Sequence, residues 1–237
     1  MKNFQLGDFI FRNFLNILIV FLLILNLLPI LAPIFAHLGF NLPAKIIYFI
    51  YSFLCHQLHW RSLHIYDYQC AWCTRDMFLW GSILLAAILV KKFNIKGLQW
   101  FWMIPFTLPI ALDGGIQTVA TLFGFGSGQP VYMSTNFLRM LTGSIFGTGV
   151  GLWLLPAFKN NTKQNLAALR NLTNLSALKA TLKVALVVIF TLFIIYLIFI
   201  IIWQLTSTQY PPENVMDLAV RTPAELKDWL VRRAHGI

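Results

Sequence analysis

The chain has 237 residues, 58% of them hydrophobic and 11% charged, with a mean hydropathy of +0.71. Soluble domains are about 45–50% apolar and about 25% charged, so a soluble fold of this size could not cover its surface, and a polytopic membrane protein is expected. The net charge of +10 reads as membrane topology, because cytoplasmic loops collect Lys and Arg, and no nucleic-acid partner is expected.

In chain order, the first expected span is Phe14 to Phe35, apolar except for Asn16 and Asn26. Its apolar run exceeds the ~7–15 residues of a signal-peptide core, so it reads as retained. Pro43 to Trp60 follows. On a helix, Tyr48, Ser52, Cys55 and His59 would form one polar stripe, with Ile46, Ile47, Phe49, Ile50, Phe53 and Leu54 opposite. It reads either as a surface or half-inserted outer helix, giving five spans, or as a true span, giving six. Phe78 to Val90 ends at Lys91-Lys92. Leu98 to Leu112 carries Pro105 and Pro109, which predict kinks. Phe137 to Phe158 contains Arg139, Thr142, Ser144 and Thr148, polar positions that should face the bundle interior. Gly143, Gly147, Gly149 and Gly151 on this span allow close helix packing. Val184 to Trp203 is the last span, apolar except for Tyr196.

Loop charge sets the orientation. Lys91, Lys92 and Lys96 stand in one loop, and Lys159, Lys163, Arg170, Lys179 and Lys183 in another, with no acid in either. Both should be cytoplasmic. Residues 59–76, 113–136 and the tail from Thr206 should then face outward from the cell's inner membrane. The inner segment, with leucines at spacing three from Leu166 to Leu178, reads as a basic interfacial helix or helix pair against lipid headgroups. Its sequons at Asn160, Asn171 and Asn174 fall on the inner side. Gly124 to Gly128 reads as an outer turn. The tail 206–237 breaks at Pro211-Pro212, and Thr222-Pro223-Ala224-Glu225 predicts a short extracytoplasmic helix running to about Ala234. The expected organisation is therefore an all-α transmembrane bundle over 1–205 and a tail over 206–237.

The unusual polar residues fall at the expected outer ends of the spans, where they could share one pocket. Cys55, His56, His59, Cys70, Cys73 and Asp76 are candidate metal ligands, since thiolate, imidazole and carboxylate suit zinc. Cys55 and His59 would sit i, i+4 on a helix, and Cys70-x-x-Cys73 is also a ligand spacing. A Cys55–Cys73 disulfide is the other reading, favoured by an oxidising outer compartment. Haem is not expected, because no second histidine suitably opposes His56. Arg61, Arg75, Asp113, Gln117, Arg139 and Thr142 form a second set. They read either as an ion-pair network tying helix ends together or as an anion site, with Asp113 the expected partner of Arg139.

Taken together, Cys55-His56-Gln57 with Arg61-Ser62, then Cys73-x-Arg75-Asp76, Asp113-Gly114-x-x-Gln117 and Arg139-x-x-Thr142-Gly143, resemble the family called domain of unknown function 2085. These are small bacterial and archaeal membrane proteins. The resemblance covers about Tyr48 to Gly151. One departure is Met77-Phe78 after Asp76, where the family pattern has a Gly-aromatic pair. The family name carries no activity. The leading expectation is a membrane binding or accessory protein, a subunit of a larger membrane complex, whose partners are lipids and other membrane subunits. The alternatives are a metal-dependent enzyme acting on a lipid or lipid-linked phosphate, and a small-solute transporter.

Overall fold

The computed structural model describes residues 6–93, 95, 97–122, 132, 134–159 and 175–207. The leucine-spaced inner segment from 160 to 174 with its sequons, the Gly124–Gly128 turn and the tail helix from Thr222 lie outside the described residues. The elements in order are α1 (Leu6–His37), α2 (Asn41–Ser52), β1 (Ser62–Ile65), β2 (Tyr68–Cys73), α3 (Thr74–Lys92), α4 (Met103–Leu122), α5 (Asn136–Lys159) and α6 (Leu175–Thr206). Single 3-10 turns stand at His59–Arg61 and Trp100–Trp102.

The fold is mostly helical, as expected, but not all-α, because β1 and β2 make an antiparallel hairpin. Among the described residues, three helical stretches are long and apolar enough to cross a membrane: Asn13–His37, Asn136–Pro156 and Leu178–Thr206. They match the first, fourth and fifth of the five strongest expected spans. The ambiguous Pro43–Trp60 segment is helical only to Ser52. At about 1.5 Å per residue, α2 covers roughly 18 Å against a hydrocarbon core of about 30 Å, so it does not cross as a single helix. Cys55 and His59 lie beyond its end, so they are not an i, i+4 helical pair.

The chain divides into two units. The first holds residues up to Leu25 and Arg75–Ile194; the second holds Asn26–Thr74 and the chain from Ile195. In the first unit, α3 is the inner helix. Met77, Phe78, Ser82, Ile83, Leu84, Ala86, Ala87 and Val90 are all buried, so nearly every side of it is covered. That explains why α3 has no clear apolar stripe. Leu15 and Leu22 of α1, Phe106 of α4, Leu152 and Leu155 of α5 and Ala185 of α6 complete this core.

Helix α4 runs Met103–Leu122 and not over the expected Leu98–Leu112. Leu98 instead lies before the helix, its N–H donating to the Leu152 carbonyl at 3.0 Å. Pro105 falls in the first turn of α4, where a missing N–H costs nothing. Only Pro109 is interior. Ile104, Leu108, Leu112, Ile116 and Val119 are exposed along one side of α4. An apolar stripe left uncovered on a membrane protein is a lipid-facing surface.

Close helix packing in the first unit is supplied by the glycines of α5. Gly143, Gly147 and Gly151 repeat at spacing four on α5. A Cβ built on Gly143 would strike the Arg75 carbonyl, one on Gly147 the Leu79 carbonyl, and one on Gly151 the Ala86 side chain. The glycines therefore let α5 lie directly on the α3 backbone.

In the second unit, α1 ends at His37, and Gly39 (φ +80°) turns the chain into α2. Only glycine takes that conformation without steric cost. Ala44, Ile47, Tyr48 and Tyr51 form the buried face of α2. Leu42, Ile46, Phe49, Ile50, Phe53 and Leu54 are exposed. The hairpin turns at Tyr66-Asp67, with Ile65 paired to Tyr68. Tyr66 sits at φ +54°, which costs a non-glycine residue on the order of 1–3 kcal/mol. Two contacts hold it there. Its ring stacks on His37 with centroids 3.6 Å apart, and its N–H donates to Thr206 Oγ1 at 3.2 Å. Ser207 Oγ donates to Asp67 at 3.1 Å, fastening the other turn residue.

Candidate functional site

The polar residues expected to share a pocket belong to the two units, each with its own network. In the first unit the centre is Asp113. It lies inside α4 and not at a span end, and it is buried at 7% exposure. Its carboxylate accepts from the Arg75 guanidinium in an ion pair, from the Tyr132 hydroxyl at 2.7 Å and from Ser134 Oγ at 2.9 Å. Arg75 comes from the first turn of α3, while Tyr132 and Ser134 come from the segment leading into α5. Three pieces of chain thus meet at one carboxylate. Three donors on a buried carboxylate stabilise its charged form and hold its oxygens. The bond to Asp113 in turn raises the Tyr132 phenol above its ordinary pKa.

The expected Arg139–Asp113 pair is corrected here: Arg75 supplies the ion pair. Arg139, 1% exposed, donates to Gln117 Oε1 at 3.3 Å. Gln117 stands one helical turn after Asp113, so α4 presents both acceptors to the incoming arginines. Thr142 takes no part. Its hydroxyl donates back to the Leu138 carbonyl at 2.8 Å, the ordinary arrangement for a threonine inside a helix. Arg61 belongs to the second unit, half-buried at the end of the 3-10 turn. Tyr132 and Ser134 were not singled out in the sequence. The only signal for them is their place just before the Asn136 start of α5.

In the second unit the hairpin is fastened to α2 by a closed set of buried amides. The Tyr48 hydroxyl donates to the Gln69 carbonyl, Gln57 Nε2 to the Tyr48 carbonyl at 2.6 Å, and Gln69 Nε2 to the Gln57 carbonyl at 2.9 Å. Gln57 takes φ +50°, which turns the chain back after α2. The Tyr51 ring meets Trp72 edge-on at 5.2 Å.

The candidate metal ligands separate into different environments. Cys55 and Cys73 come together, with their sulfurs within 4.8 Å of each other and the Cys73 N–H donating to Cys55 Sγ at 3.3 Å. No disulfide joins the cysteines. Asp76, the next ligand-type side chain, stands in the first turn of α3. An acid there also complements the positive end of the helix dipole. His56 is exposed. His59 is engaged elsewhere: its Nδ1 lies 2.9 Å from His64 Nε2, and the His64 ring faces Trp203 at 5.7 Å.

Cys70 does not join Cys73. Residues three apart on a strand point to opposite faces, and Cys70 is fully buried. That burial pushes its thiol far above the ordinary pKa. A buried thiol held in the neutral form is a poor nucleophile. Alkylation of the folded protein with iodoacetamide at neutral pH, after treatment with chelator and reductant, should therefore leave Cys70 unmodified while the half-buried Cys73 reacts, and denaturation should expose Cys70. Peptide mass mapping reads this directly; labelling of Cys70 as fast as Cys73 would contradict the burial.

The family model of predicted membrane proteins called domain of unknown function 2085 matches residues 55–153. An uncharacterised protein of Methanocaldococcus jannaschii is 30% identical over 158 residues, covering 62% of this chain and 94% of the relative. No solved structure matches.

Proposed function

The chain belongs to the domain of unknown function 2085 family of membrane proteins, and from that premise we propose that it is an integral membrane binding or accessory protein. Its binding element is the turn end of the β-hairpin, where Tyr66, Asp67 and Tyr68 are only half-buried, on the outer side of the cell's inner membrane; the base of the hairpin is clamped at Cys55 and Cys73 by a metal ion or a disulfide. It works as a subunit of a larger membrane complex. In this reading α1, α3, α4, α5 and α6 make five spans, and α2 lies along the outer leaflet with Ile46, Phe49, Ile50 and Phe53 in lipid.

One observation carries the proposal: the hairpin is held rigid although it is short. An isolated two-stranded hairpin is marginal in water, yet this one is tied down at its base by Tyr48, Gln57 and Gln69 and at its turn by His37 and Thr206. Such restraint suits a surface that must keep its shape for a partner. The Asp113 centre supports binding over catalysis. Its oxygens are already engaged by three donors, as befits a tie between helices and not a general base.

The test is the size and composition of the protein extracted from its own membrane in mild detergent. Native mass spectrometry should find it with other chains in fixed ratio. Tyr66→Ala, which removes the ring that stacks on His37, should release them while the free chain stays folded. A protein that runs alone, or only with copies of itself, overturns the accessory reading.

A further inference from the structure

We infer that Cys55 and Cys73 are thiolate ligands of a divalent ion of zinc-like softness. This deepens the clamp in the reading above by choosing the metal over the disulfide. Two tetrahedral thiolate ligands at about 2.3 Å from zinc lie about 3.8 Å apart, within the 4.8 Å separation limit of these sulfurs.

The Cys73 N–H aimed at Cys55 Sγ is the kind of donor that stabilises a thiolate and orients a ligand sulfur. Both sulfurs are carried on fixed backbone. The Cys55 N–H donates to the Tyr51 carbonyl at 2.9 Å, and Cys73 is paired with Ser62 across the hairpin. Ligands held by the scaffold before the ion arrives are what a metal site requires. The two thiolates of this unit bind the ion, and water takes the remaining positions. Buried Cys70 is excluded, which separates this site from a Cys70-x-x-Cys73 motif.

Binding is an acid–base exchange without redox change. Each thiol loses its proton to solvent as its sulfur bonds to the ion, so affinity should fall as pH is lowered. Two measurements test the site. Elemental analysis of protein purified without chelator should give about one zinc per chain. Cys55→Ser and Cys73→Ser should lose it, and Cys70→Ser should keep it.

Because a cysteine variant could fail to fold, the second measurement uses the unaltered protein. After chelation, titration with cobalt(II) should develop a sulfur-to-metal charge-transfer band that saturates at one equivalent and is displaced by zinc. The site is overturned if no band forms. It is equally overturned if the intact mass is lower by two hydrogens because Cys55 and Cys73 are joined, or if Cys70→Ser abolishes binding. None of these results alters the complex-size measurement, so the metal and the accessory role fail separately.

Discussion

Asp113→Ala should cost the protein about 3–5 kcal/mol of stability, the usual penalty for removing one partner of a buried ion pair. The loss is large because it is not confined to one contact. Arg75 keeps its charge without the carboxylate that accepts it, and Tyr132 and Ser134 lose their common acceptor. Total stabilities of single domains are only about 5–15 kcal/mol, so a large drop in folded yield and in melting temperature in detergent is expected. Asp113→Asn should fall between, since its amide oxygen still accepts hydrogen bonds but leaves the Arg75 charge unbalanced. The paired change Arg75→Met with Asp113→Leu separates a tie from a ligand site. A structural tie can be replaced by apolar packing with little loss. Recovery of stability in the double variant would support the tie; a double variant no better than Asp113→Ala would argue against it. An Asp113→Ala protein that melts like the parent would refute the centre altogether.

Helices α1, α5 and α6 are legible in the sequence because membrane insertion writes itself as long apolar runs. The outer region is not, for three physical reasons. Periodicity shows that Tyr48 and Ser52 share a face, but Cys55 and His59 continue the same spacing on paper. Nothing in Phe53-Leu54 announces that the helix stops, since no glycine or proline marks the turn. The hairpin is hidden because its turn is Tyr66-Asp67, held at positive φ by His37 and Thr206 from distant parts of the chain. Strand β2 is buried along most of its length, so it lacks the alternation that marks a half-exposed strand.

The polar centre was half legible. Residue types placed Arg75, Asp113, Gln117 and Arg139 among the important positions. Which arginine meets the carboxylate depends on how far α4 extends, and the expected end at Leu112 put Asp113 outside the helix that in fact carries it. The cysteines follow the same pattern. Their proximity in sequence suggested one site, but strand geometry turns Cys70 away from Cys73, and that was invisible while the segment had no assigned strand.

Gly147→Ala is the sharpest test of the helix seam, and the expected loss is about 1–3 kcal/mol or more from overpacking. The added methyl would meet the Leu79 carbonyl, which is helix backbone and can yield only if α3 and α5 move apart. Gly143→Ala meets the Arg75 carbonyl in the same way. Gly115→Ala provides the contrast. Its methyl would meet nothing within 4 Å, so no such loss is expected. Gly149→Ala meets Phe106 Cβ on α4, away from Arg75. The order of the unfolding midpoints in a denaturing-detergent titration checks this, and Gly147→Ala matching the parent would sink it. Gly143 carries a further consequence, because the carbonyl it approaches belongs to the residue whose side chain reaches Asp113. Pushing α3 off α5 at that point must displace Arg75 from the carboxylate. The losses from Gly143→Ala and Asp113→Asn should therefore be less than additive, as for two changes that break one shared interaction. Gly149→Ala combined with Asp113→Asn should simply add. Equal additivity in both pairs would mean that the glycine seam does not position the Arg75–Asp113 centre.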